Sequence, residues 1–287
     1  MKIGLIGTGL MGQPMALKLL EGGLSVIAYN RTSSKLQSLQ EAGATAVDSP
    51  ESVLKEAECI ILMLSDAKAI EEVLLAKNTV ALLPNRTIIQ MGTISPQESK
   101  AIGDRVSAAG GAYLEAPVLG SIPQVKTGEL IVMVGSSKEQ FEQWLPLLKH
   151  YSSQPLHIGA VGTASAMKLA LNQLIAGLTS TFALSLGFVQ RQGVDVEQFM
   201  QVLRESALYA PTFDKKLSRM CDRNFDNPNF PTKHLLKDTE LFLTQAKELD
   251  LATDNLEGIK NIIERAISIG LENADYSAIY NVINPES

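Results

Sequence analysis

The sequence predicts an α/β protein in two parts: a doubly wound, mostly parallel sheet over residues 1–160, followed by an all-α domain over residues 161–287. Three observations predict it. Close to the N-terminus an apolar run leads through a glycine-rich turn into helical text. Short apolar runs then alternate with helical stretches as far as residue 134, the pattern of repeated βα units. From about Gly162 onward the strand signals vanish and long runs with helical spacing take over.

The first element is residues 3–6, an apolar run that reads as a buried strand, and residues 15–20 read as the helix after it. Between them lies Gly7-x-Gly9-x-x-Gly12 within Gly4-Leu-Ile-Gly-Thr-Gly-Leu-Met-Gly12. Glycine permits a tight turn, backbone approach to a ligand and close helix-to-strand packing. In a strand-turn-helix setting this pattern predicts a Rossmann-like dinucleotide site. Its expected contacts are Gly7, Thr8, Gly9, Leu10, Met11 and Gly12, with the helix N-terminus toward the pyrophosphate. A turn that serves packing alone is the plainer alternative.

Residues 25–29 read as the second strand and Asn30 to Ser34 as the loop that ends it. Helical text at 35–41, a short strand at 44–47, a helix at 52–57 and a buried strand at 59–64 follow. Apolar runs recur at 87–91, 112–116 and 130–134. The last of these is expected to be antiparallel, because only a loop-like stretch separates it from its predecessor. Beyond residue 160, helices are expected at 164–192, 196–206, 210–222, 235–250 and 256–270. The proline-bearing "NFDNPNFP" at 224–231 interrupts them, and residues 285–287 read as a frayed end.

Composition narrows the function classes. The chain has 287 residues, 45% apolar and 20% charged, as in an ordinary soluble protein large enough for two domains. With 25 positive against 31 negative residues and a net charge of −6, broad nucleic-acid binding is not expected. Cys59 and Cys221 show no metal-ligand spacing and form no disulfide framework, which suits a reducing, cytoplasmic setting. No signal peptide is expected, since Met1-Lys2 leads directly into a strand the fold needs. Residues 169–189 approach the length of a membrane span, but Asn172, Gln173, Thr179, Ser180, Thr181 and Ser185 suit a helix buried between domains or subunits, so no membrane partner is expected.

The cofactor reading turns on the end of the second strand. An NAD-selective site usually places an acid there to hold the ribose hydroxyls. This chain has Asn30-Arg31-Thr32, with Ser33 next, and no acid. A guanidinium beside hydroxyl donors suits a 2′-phosphate, so the expected cofactor is NADP(H). Arg31 as a merely solvated loop residue is the alternative.

A hydride carrier needs a proton source, because reducing a carbonyl develops negative charge on oxygen. His150, His157 and His234 show no metal or Ser-His-Asp spacing, no paired-carboxylate pattern emerges, and no metal site is expected. Lys168 and Asn172 stand at i and i+4, on one face of a helix. From spacing alone, Lys168 is either a partly desolvated acid or a solvated lysine near a helix start.

The chain resembles the β-hydroxyacid dehydrogenases over essentially its whole length. The resemblance rests on four separated motifs: the N-terminal glycine turn; Glu115-Ala-Pro-Val-Leu-Gly-Ser121 with Gly128-Glu-Leu130; the stretch from Gly162 to Asn172; and Lys233-His-Leu-Leu-Lys-Asp238. The Asn-Arg-Thr loop and Phe230-Pro-Thr-Lys-His234 look most like the glyoxylate and succinic semialdehyde reductases, with 3-hydroxyisobutyrate dehydrogenases the nearest competing branch. The resemblance implies NADPH-dependent reduction of a small aldehyde acid, with Lys168 as general acid and Asn172 positioning substrate and lysine. It further implies substrate contacts at Thr93 in "MGTIS", Gly120, Ser121, Phe230 and Asp238, and cofactor contacts at Met63, Leu64, Thr93 and Lys237. A long interdomain helix and a homodimer or tetramer built through the helical domains are also implied.

One position departs from the family pattern. Where Ala-Pro-Val-Ser-Gly is common, this chain has Leu119 before Gly120, which removes a hydroxyl expected to help hold the substrate carboxylate. Backbone N–H groups around Gly120 and Ser121, a displaced Ser121 hydroxyl, or a pocket for a longer substrate are the alternatives this leaves. Imine reduction, disfavoured by Lys168, and a non-catalytic NADP-binding module are the competing functions.

Overall fold

Apolar side chains alternate between two faces along the central strands, and this alternation builds the sheet. The structure is a computed structural model that describes residues 1–286. The chain forms two compact units, Met1–Lys168 and Leu169–Ser287.

The first unit opens with β1 (Lys2–Ile6), α1 (Gly12–Glu21) and β2 (Ser25–Tyr29), then α2 (Gln37–Glu41) and β3 (Thr45–Ala46). Next come α3 (Pro50–Glu56), β4 (Cys59–Leu62), α4 (Ala67–Leu74), α5 (Lys77–Val80), β5 (Thr87–Gln90), α6 (Pro96–Ala108) and β6 (Ala112–Glu115). These strands run parallel in the order β3-β2-β1-β4-β5-β6. Ile3, Leu5, Cys59, Ile61 and Ile89 face one hydrophobic core with Met15, Leu19 and Trp144. Ile60, Leu62 and Ile88 face the other, with Val53, Ile70, Ile102 and Val106. Burial on both faces explains why these strands read as continuous apolar runs. The chain leaves β1 outward to β2 and β3 and then returns to β4 on the other side. That reversal makes the crevice at the carboxyl ends of β1 and β4 the topological switch point.

Beyond β6 come β7 (Val118–Leu119), α7 (Ile122–Thr127), β8 (Ile131–Gly135), α8 (Lys138–Leu148) and β9 (Leu156–Gly159). β8 is antiparallel to β6, as the sequence suggests. The stretch between them, however, is no simple loop, since it holds β7 and a helical turn. Glu115 opposes Gly135, Val118 opposes Val132 and Leu119 opposes Ile131, so β7 continues β6 along β8 in the same register. The interruption falls at Ala116-Pro117, where proline has no N–H to give. β9 joins β8 in parallel and was not expected; its "LHIG" is short and partly exposed, so it carries little periodic signal.

The long helix α9 (Thr163–Arg191) starts from this sheet. Glu115, 0% exposed at the end of β6, points its carboxylate at the helix N-terminus. Its Oε1 accepts the N–H groups of Gly162 at 2.8 Å, Ala164 at 2.9 Å and Ser165 at 3.0 Å, and its Oε2 accepts the Ser165 hydroxyl at 2.6 Å. The buried Ser99 hydroxyl also donates to it. A carboxylate here satisfies orphan helix donors and complements the helix dipole. Opposite it, a Cβ on Gly135 would run into the Glu115 carboxylate, so this pairing needs glycine. With its first turns tied to the sheet, α9 divides between the two units at Lys168, downstream of the 160/161 boundary drawn from the sequence.

The second unit continues α9 and adds α10 (Val196–Glu205), α11 (Pro211–Cys221), α12 (Thr232–Glu248), α13 (Asp254–Ser268) and the short α14 (Tyr280–Ile283). Phe182, Leu186, Met200 and Phe213 form one of its cores, and Ala176, Leu235, Leu256 and Ile263 the other. Among the described residues its only β pairing outside named strands is the bridge between Pro231 and Asp275. α9 is the one described helix long and apolar enough to cross a membrane, with a window of mean hydropathy 1.4, 44% of it buried. Asn172, Thr179 and Ser180 are among its buried residues. The end of the chain is better held than a frayed terminus. Arg191 donates to the Pro285 carbonyl at 2.8 Å and Arg223 pairs with Glu286 at 3.1 Å, while Ser287 lies outside the described residues.

Replacing Glu115 by alanine leaves several buried donors unsatisfied and should cost about 3 kcal/mol or more. Urea unfolding followed at Trp144, in the sheet unit, measures this. A loss under about 1 kcal/mol would mean that the helix start is satisfied some other way.

Candidate active site

The three motif glycines have three different geometric reasons. Gly7 has φ +97°, donates its N–H to Tyr29 O at 2.9 Å, and leaves no room for a Cβ against the Met63 carbonyl. Gly12 sits so close to the Gly7 carbonyl that a Cβ would collide with it. A Cβ on Gly9 would meet nothing within 4 Å. The first and third glycines therefore close the turn and seat the helix, whereas the second keeps the space above the loop clear. α1 begins after Met11 with no side-chain cap and no acid in its first turn. Its leading N–H groups are thus suited to an anion, and the loop fits a dinucleotide pyrophosphate.

At the end of β2, Asn30 ties the two loops together. It accepts the Thr8 N–H at 3.1 Å and donates to Thr32 O at 3.0 Å. Arg31, Thr32 and Ser33 are exposed, and Arg31 makes no hydrogen bond or ion pair among the described residues. Lys35 adds an exposed cation to this loop. Sequence reading assigned Lys35 only to a helix, although its position two residues past Ser33 was a signal. Met63 and Leu64 follow β4, where Met63 donates to Ile6 O at 2.9 Å. Thr93 follows β5 and is half-buried. The fully buried Gln90 braces that loop, donating to Gly92 O at 3.1 Å and accepting the Gly92 N–H. A glutamine closing an otherwise apolar strand was the legible sign of that brace. The proposed cofactor contacts of this unit thus gather at the carboxyl ends of β1, β2, β4 and β5.

The loop after β7 carries Gly120 at φ +131°, where a Cβ would stand 2.7 Å from Leu130 Cδ2. Ser121 donates both its N–H, at 2.9 Å, and its hydroxyl, at 2.8 Å, to Gln124 Oε1. Both Ser121 donors are therefore engaged within the protein. Gln124 was not singled out from the sequence, although Ser121-Ile-Pro-Gln124 has the capping-box pattern.

On α9, Lys168 is half-buried and Asn172, one turn on, is 3% exposed. In the helical unit, Asn172 Nδ2 donates to Asp238 Oδ2 at 2.6 Å, and Asp238 Oδ1 pairs with Lys237 Nζ at 2.8 Å. Only the amide NH₂ can donate to a carboxylate, so the orientation of Asn172 is fixed. Its Oδ1 is buried and without a hydrogen bond. Phe230 precedes α12 and stacks on His234 with centroids 6.4 Å apart, while Tyr276 meets its ring edge-on at 5.6 Å. Burial, with the Lys237 charge adding to it, holds the His234 imidazole below its usual pKa. Against Tyr276 lies an ion pair that sequence reading missed, the half-buried Lys216 to the buried Asp275 at 2.8 Å, with the ammonium 4.1 Å from the Tyr276 ring centre.

Comparisons with known proteins extend over both units. Residues 2–162 match the family described as the NAD binding domain of 6-phosphogluconate dehydrogenase. Residues 162–283 match that described as the NAD-binding of NADP-dependent 3-hydroxyisobutyrate dehydrogenase. The chain is 30% identical over 285 residues to glyoxylate/succinic semialdehyde reductase 1 of Arabidopsis thaliana, covering 99% of this chain and 98% of that protein. It is 32% identical over 288 residues to 2-hydroxy-3-oxopropionate reductase of Escherichia coli (strain K12), covering 99% and 97%. The fold is that of 3-hydroxyisobutyrate dehydrogenase from Salmonella typhimurium, with a TM-score of 0.87 at 24% identity over 98% of this chain and 99% of that one. Matches of this extent show that the chain belongs to the β-hydroxyacid dehydrogenase family of NAD(P)-dependent dehydrogenases and reductases.

Proposed function

We propose that this protein reduces a small aldehyde acid, glyoxylate or succinic semialdehyde, to the hydroxy acid with NADPH. The observation that carries this reading is Lys168 one helical turn before Asn172, on a helix whose start is anchored by Glu115. The named reductase relatives support it, since each is named for a small aldehyde acid. When bound, the dinucleotide supplies the hydride. Lys168 donates its proton to the carbonyl oxygen as negative charge develops there, and its ammonium stabilises that charge beforehand. Asn172, with its NH₂ held by Asp238, keeps Oδ1 as the acceptor that orients the lysine or the product hydroxyl. The half-buried Leu119 puts an apolar side chain where the family commonly has a serine hydroxyl, so the choice between glyoxylate and succinic semialdehyde turns on this loop.

Selectivity for NADPH rests on Arg31, Thr32, Ser33 and Lys35 and on the absence of an acid after Tyr29. Asn30, by contrast, serves to hold the two loops together. The enzyme is read as cytoplasmic and as at least a homodimer. Met167, Leu174, Leu178, Leu184 and Phe188 lie along one side of α9 and are 40%, 53%, 38%, 63% and 64% exposed, an apolar stripe suited to a second copy.

Lys168→Ala should lower kcat by about 10² to 10⁴ while NADPH affinity, read by fluorescence titration, stays within about twofold. Near-normal turnover would remove Lys168 from the chemistry. For Arg31→Ala, NADPH binding should weaken by about 1.5–3 kcal/mol with NADH binding unchanged, and an equal loss for both cofactors would refute the phosphate role. A Leu184→Glu, Phe188→Glu double variant should sediment as a smaller species than the parent. An unchanged sedimentation coefficient would move the interface elsewhere.

A further inference from the structure

We infer that Gln124 supplies the carboxylate-binding donor that Leu119 removes, making it a specificity-determining residue for acid substrates. The inference deepens the proposed reductase function and rests on that reading for the identity of the ligand. It starts from the two hydrogen bonds that Ser121 gives to one oxygen, Gln124 Oε1, at 2.9 and 2.8 Å. An amide has one acceptor arm and one donor arm. With the acceptor arm pinned twice, the donor arm is fixed in direction, and Nε2 makes no hydrogen bond among the described residues. Ser121 thus acts through Gln124: its own two donors hold the amide, and the amide presents two N–H groups of its own.

The surroundings support this arrangement. Gln124 is half-buried, and a Cβ built on Gly120 would lie 3.3 Å from Gln124 Cβ and 3.5 Å from Cγ. The stem of Gln124 therefore packs against the very glycine that follows Leu119. An apolar side chain at 119 removes one hydroxyl from this loop, and a pre-oriented amide at 124 returns two neutral donors to it. Neutral donors recognise a carboxylate by hydrogen bonding alone, without bringing a charge of their own into the loop. The plainer account of Gln124 is a capping-box residue that only holds the start of α7, a role glutamate fills equally well.

That equivalence gives the test. Gln124→Glu keeps the acceptor for Ser121 and the capping box, but replaces the NH₂ with an anionic oxygen. Gln124→Met removes both donors without adding charge. Each variant is assayed with succinic semialdehyde, with butanal as an aldehyde lacking the carboxylate, and by calorimetric titration of succinate into the NADP-loaded protein. The expected result for both variants is a rise of about 10- to 100-fold in KM for succinic semialdehyde. Succinate binding should weaken to match, with butanal kinetics, NADPH affinity and the melting temperature of the Glu variant unchanged. Wild-type KM and succinate affinity in Gln124→Glu would overturn the inference and leave the reductase reading standing. A parent protein that turns over neither acid yet binds succinate in a Gln124-dependent way would overturn the reductase reading and uphold the donor role. No succinate binding to the parent protein would overturn the donor role as well.

Discussion

The buried carboxylate of Glu115 is the constraint on which the placement of α9, and of Lys168 on it, depends. A carboxylate removed from water is costly unless its lone pairs are filled. Here they are filled by three backbone N–H groups of the α9 start and by the hydroxyls of Ser165 and Ser99. The same contacts satisfy N–H groups that the first turn of any helix leaves orphaned. Two requirements that are each unfavourable alone therefore cancel. The result fixes the base of α9 to the end of β6, and Lys168 follows within its second turn. Gly135 belongs to this arrangement, since only a residue without a side chain can stand opposite Glu115 in the register of β8.

A comparable economy governs the carboxyl edge of the sheet. Parallel strands deliver their loops to one edge, and the switch between β1 and β4 opens a crevice there. Loops that follow these strands are braced by polar side chains that bond backbone: Asn30 to Thr8 and Thr32 after β2, Gln90 to Gly92 after β5, and Gln124 to Ser121 after β7. Each brace satisfies a loop's own donors and acceptors, so the exposed groups that remain are those offered outward. Arg31 is one such group at β2 and the amide of Gln124 is another beyond β7. In the helical unit, Asp238 plays the corresponding part by holding Asn172 and Lys237 at once.

Some of the site was legible because its signal is local. The glycine spacing encodes a turn whose steric demands fall within six residues, and the structure gives Gly7, Gly9 and Gly12 separate reasons for lacking a side chain. The missing acid after Tyr29 and the i to i+4 spacing of Lys168 and Asn172 are also read directly from the chain. Other features were illegible for equally physical reasons. β9 is too short and too exposed to show a period, and β7 is hidden by Pro117, which interrupts the strand without ending its register. The Lys216–Asp275 pair joins residues 59 positions apart and has no periodic trace.

By itself the sequence determined the α/β class, the change to an all-helical second half, the glycine turn and the i to i+4 spacing of Lys168 and Asn172. Hydrophobic period, glycine sterics and helical spacing act over a few residues, so the order of amino acids encodes them. Only the tertiary structure decided that Glu115 anchors α9, that Asp238 orients Asn172 and that the donors of Ser121 are turned onto Gln124. The first two join residues 47 and 66 positions apart. The third is local in sequence, but its direction depends on how Gly120 lets the Gln124 stem pack. Which polar group is satisfied and which is left to meet a ligand is set by three-dimensional proximity, and no period in the chain records it.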